Sequence, residues 1–207
     1  MLRTRIAVLV SGGGTNLQAL IDAQKSGRLH SGEIVLVVAS NPAAYALQRA
    51  EAAGIKTAVA DKKQCASQTT FEEKILAALE AEHIDLIVLA GFMSILSPDF
   101  IARYPQRIIN VHPALIPAFS GKGYYGLRVH EAALRAGVKL TGATVHFVNE
   151  ITDGGQILLQ KAVPVRKGDT PASLQRRVME QAEWKLLPRA AELVSAQIRR
   201  EKEKNSR

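Results

Sequence analysis

Along the first hundred residues, apolar positions fall into two alternating textures. Short continuous apolar runs at 6–10 (Ile-Ala-Val-Leu-Val), 34–39, 57–60 and 86–90 alternate with segments at 17–23, 45–53 and 71–79 whose apolar positions recur at helical spacing. A run that is apolar at every position fits a strand covered on both faces, which is the condition of strands in a parallel sheet flanked by helices. The alternation therefore predicts βαβ units and a doubly wound sheet for the first half of the chain. Beyond residue 105 the texture changes: 107–112 read as a strand, 113–128 as a loop punctuated by Gly and Pro, and 129–136 as a short helix. Strands at 143–149 and 156–165 are separated by Glu150-Ile151-Thr152-Asp153-Gly154-Gly155, a connection short enough to make them an antiparallel hairpin. Asp169-Thr170-Pro171 reads as an N-cap with Pro in the first turn, opening a long helix from about residue 172 in which Pro188 marks a kink or a break. The expected fold is a single-domain α/β architecture: a Rossmann-like, mostly parallel sheet with a C-terminal antiparallel hairpin and a long C-terminal helix.

Composition narrows the picture. With 207 residues, 47% of them hydrophobic, the chain can bury one sizeable core, expected over 1–198, followed by a mobile basic tail at 199–207. No stretch approaches the roughly 18 apolar residues needed to span a bilayer. Met1-Leu2-Arg3-Thr4-Arg5 leads straight into the first strand-like run, so neither a signal peptide nor a membrane association is expected and the location expected is cytoplasmic. The one cysteine, Cys65, excludes an internal disulfide and makes a poor zinc ligand without a second thiol. The net charge of +8 invites a nucleic-acid reading, but the tail alone contributes +3, the rest is dispersed, and aromatics at 5% offer no stacking platform. No nucleic-acid partner is expected; a basic surface instead helps attract phosphorylated substrates.

Four segments can carry chemistry. Ser11-Gly12-Gly13-Gly14-Thr15-Asn16 lies between the first strand and the first helix. Glycines let backbone amides approach an anion and the helix N-terminus adds partial positive charge, so Gly13, Gly14, Thr15 and Asn16 form a candidate phosphate cradle. The loop lacks a Walker Lys, and residue 17 is Leu where a dinucleotide fingerprint needs Gly. The plainer alternative is a tight turn in which Thr15 or Asn16 merely caps the helix. Asn110-Val111-His112-Pro113 ends a strand, and Asn110 and His112 share a strand face at the carboxyl edge of the sheet, where open α/β sheets bind ligands. An amide and a protonated imidazole there suit an oxyanion, with Pro113 and Pro117 stiffening the loop, although a strand-end His is also commonly structural.

Asp153-Gly154-Gly155 is ordinary turn chemistry unless Asp153 meets His112 in space, with His146 supporting from the preceding strand. A carboxylate beside an imidazole raises its pKa and orients it for proton transfer. The segment 89–98, ending in Ser97-Pro98 at a helix start, is either the wall of a flat-ligand pocket or simply core. Neither Ser11 nor Thr15 has a recognisable base partner, and the five histidines form no ligand set, so no covalent nucleophile and no metal are expected.

In this order, the four segments resemble the phosphoribosylglycinamide formyltransferases over residues 6–192. The resemblance implies transfer of a formyl group from 10-formyltetrahydrofolate, a co-substrate, to the amine of glycinamide ribonucleotide in de novo purine biosynthesis, by direct attack through a tetrahedral intermediate. It implies a catalytic set of Asn110, His112 and Asp153, and a phosphate loop at Gly14, Thr15 and Asn16. It further implies a folate-side segment at Met93, Ser94, Ile95 and Leu96, and a loop running from Val148 to Asp153 that closes over the pterin. Many members carry Arg where this chain has Ser94, so a side-chain contact to the folate is missing or supplied differently, while main-chain contacts survive the change. Glu183 resembles the Glu that helps hold the ribonucleotide. Residues 119–126 match a longer version of a loop seen in some members, expected to be mobile until ligand binds. Lys122 in that loop is either a contact to a substrate phosphate or carboxylate, or a solvated charge. Homodimers occur in the family and a homodimer is an allowed assembly here. Methionyl-tRNA formyltransferase, with an added C-terminal domain, and formyltetrahydrofolate hydrolase, with an N-terminal regulatory domain, need room that 207 residues do not offer. A nucleotide-binding module without catalysis would explain the glycine loop but not Asn110, His112 and Asp153 together.

Overall fold

In the computed structural model, which describes residues 3–205, the apolar runs at 6–10, 34–39 and 86–90 are strands whose side chains enter two different cores, while the run at 57–60 forms the edge strand and packs on one side only. From β1 (Thr4–Val10), Ile6, Val8 and Val10 join one cluster while Ala7 and Leu9 join the other. The first cluster is completed by Leu17, Leu20 and Ile21 of α1 (Thr15–Lys25) and by Leu187, Val194 and Ile198 of α7 (Trp184–Asn205). The second is completed by Phe71, Ile75 and Leu79 of α3 (Gln68–Ala81) and Phe100 of α4 (Pro98–Ala102). Burial on both faces is why these strands tolerate no polar alternation.

The remaining strands are β2 (Gly32–Ala39), β3 (Lys56–Val59), β4 (Leu86–Leu89), β5 (Ile108–His112), β6 (Leu140–Phe147) and β7 (Ile157–Pro164), joined in the order β3-β2-β1-β4-β5-β6-β7. The pairs from β3 through to β5 are parallel, while β5–β6 and β6–β7 are antiparallel. The doubly wound first half and the C-terminal hairpin expected from the sequence are therefore present. The hairpin strands sit differently from their reading at 143–149 and 156–165: β6 starts three residues earlier and the connection is longer, because the chain leaves the ladder after Phe147. Strand order reverses at β1, which places the carboxyl ends of β1 and β4 on either side of a crevice.

Two further helices, α2 (Ala46–Ala52) and α5 (Leu127–Arg135), pack on the first-cluster face. The C-terminal helical stretch is not one helix: α6 (Pro171–Val178) passes through a π-helical turn, Met179–Glu183, into α7. Pro188 lies inside α7 and is buried, so the helix is not broken at the proline, and the π-helical irregularity falls ahead of it. Proline removes a bond to, and crowds, the carbonyl four residues back. That carbonyl is Trp184's, the first residue of α7, so the defect falls at a helix start. Residues 199–205, read from sequence as a tail, complete α7: Glu201 pairs with Arg107 and Lys202 with Asp85, both at 2.6 Å. The last two residues of that tail, and Met1 and Leu2, lie outside the described residues. Among the described residues no helix is long and apolar enough to cross a membrane.

The start of α6 has Thr170 as N-cap and Pro171 in the first turn, as the sequence predicts, and Ser173 completes a capping box with Thr170. Asp169 instead binds both guanidinium nitrogens of Arg177 at 2.6 Å and accepts from the Arg166 amide at 2.7 Å. Arg177, against the opposing pull of burial, holds the Asp169 carboxyl well below the usual carboxylate range. A carboxyl with a depressed folded-state pKa contributes stability above its unfolded value, about 3.9, and loses it as pH falls toward the folded one. The urea-midpoint difference between wild type and Asp169→Asn is therefore expected to be constant near neutrality and to shrink below about pH 4. A difference that grows on acidification would contradict the assignment.

Candidate active site

Asn110 and His112 emerge on one face of β5, and the antiparallel partner β6 sets His146 opposite Asn110 and Thr144 opposite His112. Thr144 then anchors the chain leaving β5, accepting from the Ile116 amide at 3.1 Å and donating to the Ala114 carbonyl at 2.7 Å. His146 Nδ1 lies 2.8 Å from the Phe147 carbonyl, which can only accept. Nδ1 therefore carries the proton in the neutral ring, and Nε2 accepts from the Asn110 amide at 3.3 Å. Among the described residues the other amide hydrogen of Asn110 has no partner.

Asp153 meets His112, the condition on which its functional reading depended. Its Oδ2 lies 3.4 Å from His112 Nδ1 and its Oδ1 lies 3.6 Å from His146 Nε2, with all three side chains nine-tenths buried or more. The Asp-Gly-Gly turn makes this possible. Asp153 sits at φ 57, a region that Asp tolerates better than most residues. A Cβ on Gly155 would lie 1.7 Å from the Phe147 carbonyl oxygen, so only glycine lets the loop fold back tightly onto the end of β6.

The loop after β5 closes the cluster with its backbone. The Phe119 carbonyl lies 2.8 Å from His112 Nε2, and the Gly121 amide donates to Asp153 Oδ2 at 2.9 Å. His112 therefore carries its proton on Nε2 and turns Nδ1 to the carboxylate. Burial drives the His112 pKa below the ordinary imidazole value, with Asp153 and the Phe119 carbonyl pulling against it and His146 adding to the depression. The upward pull of the carboxylate expected from the sequence exists, but desolvation outweighs it. Burial pushes Asp153 upward, yet His146, His112 and the Gly121 amide together hold it below the ordinary value. His130 on α5, fully buried and without a hydrogen-bond partner among the described residues, is pushed down to about 4 by burial and by His112.

The glycine loop ends in Gly14 at φ 71, and α1 begins with no side-chain cap, so neither Thr15 nor Asn16 is the capping residue of the plainer alternative. The Thr15 hydroxyl faces Met179 Sδ at 3.9 Å, and the Asn16 amide donates to Glu183 Oε2 at 2.6 Å. Both contacts fall on the π-helical turn, a widening of the helix common at functional sites. Glu183 is buried, which raises its carboxyl above the ordinary value, partly opposed by Asn16. A groove of about 270 Å³ opens beside Thr15, Gln18, Asp22, Arg28, Arg49 and Trp184.

The segment after β4 is tied to the glycine loop: Ser11 donates its amide to the Gly91 carbonyl at 3.2 Å, and its hydroxyl accepts from the Met93 amide at 2.9 Å. Met93 and Ile95 are exposed, Ser94 is half-buried and Leu96 is buried in the second core, against which Val148 also packs. Lys122 is exposed; the backbone of its neighbours, Phe119 and Gly121, reaches the cluster. Sequence reasoning missed those two, as well as Met179, because a backbone amide or carbonyl or a thioether leaves no chemical signature in a sequence. Among the described residues no group of three His, Cys, Asp or Glu side chains is placed to hold a metal ion.

The formyl transferase family profile matches residues 4–191. Phosphoribosylglycinamide formyltransferase of Haemophilus influenzae is 42% identical over 184 residues, covering 89% of this chain and 84% of that protein. The trifunctional purine biosynthetic protein adenosine-3 of Gallus gallus is 45% identical over 194 residues, 94% of this chain but 19% of that protein, so the chain spans less than a fifth of such trifunctional relatives. The crystal structure of phosphoribosylglycinamide formyltransferase from Brucella melitensis superposes with a TM-score of 0.85 at 45% identity, covering 94% of this chain and 97% of that one.

Proposed function

The chain belongs to the formyl transferase family, in its phosphoribosylglycinamide formyltransferase branch, and from that premise we propose that it transfers the formyl group of 10-formyltetrahydrofolate to the amine of glycinamide ribonucleotide. The observation that carries this reading is the convergence of Asn110, His112 and Asp153 at the carboxyl edge of the sheet, where the glycine loop after β1 and the exposed segment after β4 also open. The ribonucleotide phosphate docks on the amides of Gly13, Gly14, Thr15 and Asn16 at the start of α1, and Glu183 accepts from its sugar or glycinamide groups. Met93 and Ile95 lend apolar contact and main-chain polar groups to the folate, Leu96 supports them from the core, and the loop from Val148 closes over the pterin.

The glycinamide nitrogen attacks the formyl carbon, forming one C–N bond and placing negative charge on the formyl oxygen. That oxygen accepts from the free Asn110 amide hydrogen and from His112 Nε2–H, which it takes over from the Phe119 carbonyl. The Asp153 carboxylate beside Nδ1 favours the charged form of His112, whose second proton is taken from water before attack and returned once the intermediate has collapsed. The proton leaving the amine passes to the folate nitrogen as the old C–N bond breaks. No bond to the protein forms. Holding both substrates on one sheet edge supplies much of the rate effect.

The test is absorbance-monitored loss of 10-formyltetrahydrofolate with and without glycinamide ribonucleotide. Turnover that requires both is expected. Formyl loss without the ribonucleotide would make the chain a hydrolase, and no turnover with binding of the ribonucleotide alone would make it a binding module.

A further inference from the structure

Two successive carbonyls of the glycine loop are held from outside it. The Gly12 carbonyl accepts from the Ala46 amide at 3.1 Å, and the Gly13 carbonyl accepts from Arg49 Nε at 2.9 Å. Both peptide units are trans, and in a trans peptide the carbonyl and the N–H of one unit point in opposite directions. Fixing the Gly12 and Gly13 carbonyls toward α2 therefore turns the Gly13 and Gly14 amides away from α2. Three further contacts fix Arg49 itself. One terminal nitrogen donates to Gln18 on α1 at 3.0 Å, its guanidinium carbon lies 5.0 Å from the centre of the Tyr45 ring, and the space beside Gly14 is closed by Ala46 and by the Arg49 stem. A Cβ on Gly14 would lie 2.6 Å from that of Ala46, so the loop and α2 are in direct contact. A glycine loop left to itself populates many peptide orientations.

We propose that Arg49 is a positioning residue for the substrate phosphate: by holding the Gly13 carbonyl it presets the orientation of the Gly14 amide, and with it the anion cradle. This rests on the reading of that loop as the phosphate site. Arg49 donates to the loop's backbone rather than to the substrate, and it spares the anion site from having to order the loop on binding.

The experiment compares glycinamide ribonucleotide with glycinamide riboside, the same molecule without its phosphate, in wild type, Arg49→Met and Arg49→Lys. Met keeps an unbranched stem beside Gly14 but donates no hydrogen bond; Lys keeps one donor. In Arg49→Met, kcat/KM for the ribonucleotide is expected to fall about tenfold or more, through KM, at near wild-type kcat. The slow rate on the riboside and the KM for 10-formyltetrahydrofolate stay unchanged, and Arg49→Lys recovers part of the loss. A general packing defect would lower both substrates equally, and a dispensable side chain would lower neither; each of those outcomes overturns the proposal. If Arg49→Met melts early, the same comparison in Arg49→Lys carries the test, where a riboside rate that falls with the ribonucleotide rate is the overturning result. Wild type showing no preference for the phosphorylated substrate would remove the phosphate-loop reading, and the proposal with it, a failure distinct from the other two.

Discussion

His112→Ala is expected to lower kcat by about 100- to 10,000-fold while leaving the affinity for each substrate within a few fold of wild type. The asymmetry follows from the site. His112 is only 4% exposed, and its partners are the Phe119 carbonyl and the Asp153 carboxylate, so it has little surface with which to hold a bound substrate in the ground state. Its donor gains strength only when the formyl oxygen becomes an oxyanion, in a site where burial keeps water from screening the interaction. Single-turnover kinetics from a preformed ternary complex separate the two contributions. Loss of ternary-complex formation with unchanged chemistry once bound would remove His112 from the reaction and leave it as a support for the 119–126 loop.

The second large effect is expected in Asp153→Asn, which keeps the shape of the side chain and an acceptor for the Gly121 amide but removes the charge. We expect kcat to fall by roughly 100-fold or more, on the scale of one positioned acid–base group. The same substitution has a signature apart from rate. In wild type, burial depresses the His112 pKa and the Asp153 carboxylate is the largest influence opposing it. Without that charge the imidazole titrates at still lower pH, because less free energy is gained on charging it. The proton resonances of the His112 ring should therefore shift their midpoint to lower pH in the variant. A midpoint that does not move would mean that the 3.4 Å contact between Asp153 and Nδ1 carries no electrostatic weight.

The proposed Arg49 role and the cluster of Asn110, His112 and Asp153 share a construction principle. Each functional group is oriented by an element distant in sequence: α2 acts on the glycine loop, β6 sets His146 against Asn110, and the π-helical turn presents Glu183 to Asn16. In each case the distant element makes contact through a backbone group or a single side chain.

The sequence by itself determined the layered α/β architecture, since runs such as Ile6 to Val10 and the β2 run fit only strands covered on both faces. It also marked the N-cap and first-turn Pro at the start of α6, the glycine loop before α1, and Asn110 and His112 on one face of one strand. These are local properties: periodicity, backbone freedom and spacing act within a few residues and are written along the chain. What tertiary structure alone decided was whether Asp153 meets His112, since the 40 residues between them must fold before it lies 3.4 Å from Nδ1. It decided the sign of the His112 shift too, because desolvation depends on every group packed around the ring, whereas the presence of a carboxylate can be guessed from a motif. It placed residues 199–205 in α7, where Glu201 and Lys202 find Arg107 and Asp85, partners that no local reading of a basic tail identifies. Long-range electrostatics and backbone hydrogen bonds are properties of the folded arrangement, so they become legible only when the chain has brought its distant parts together.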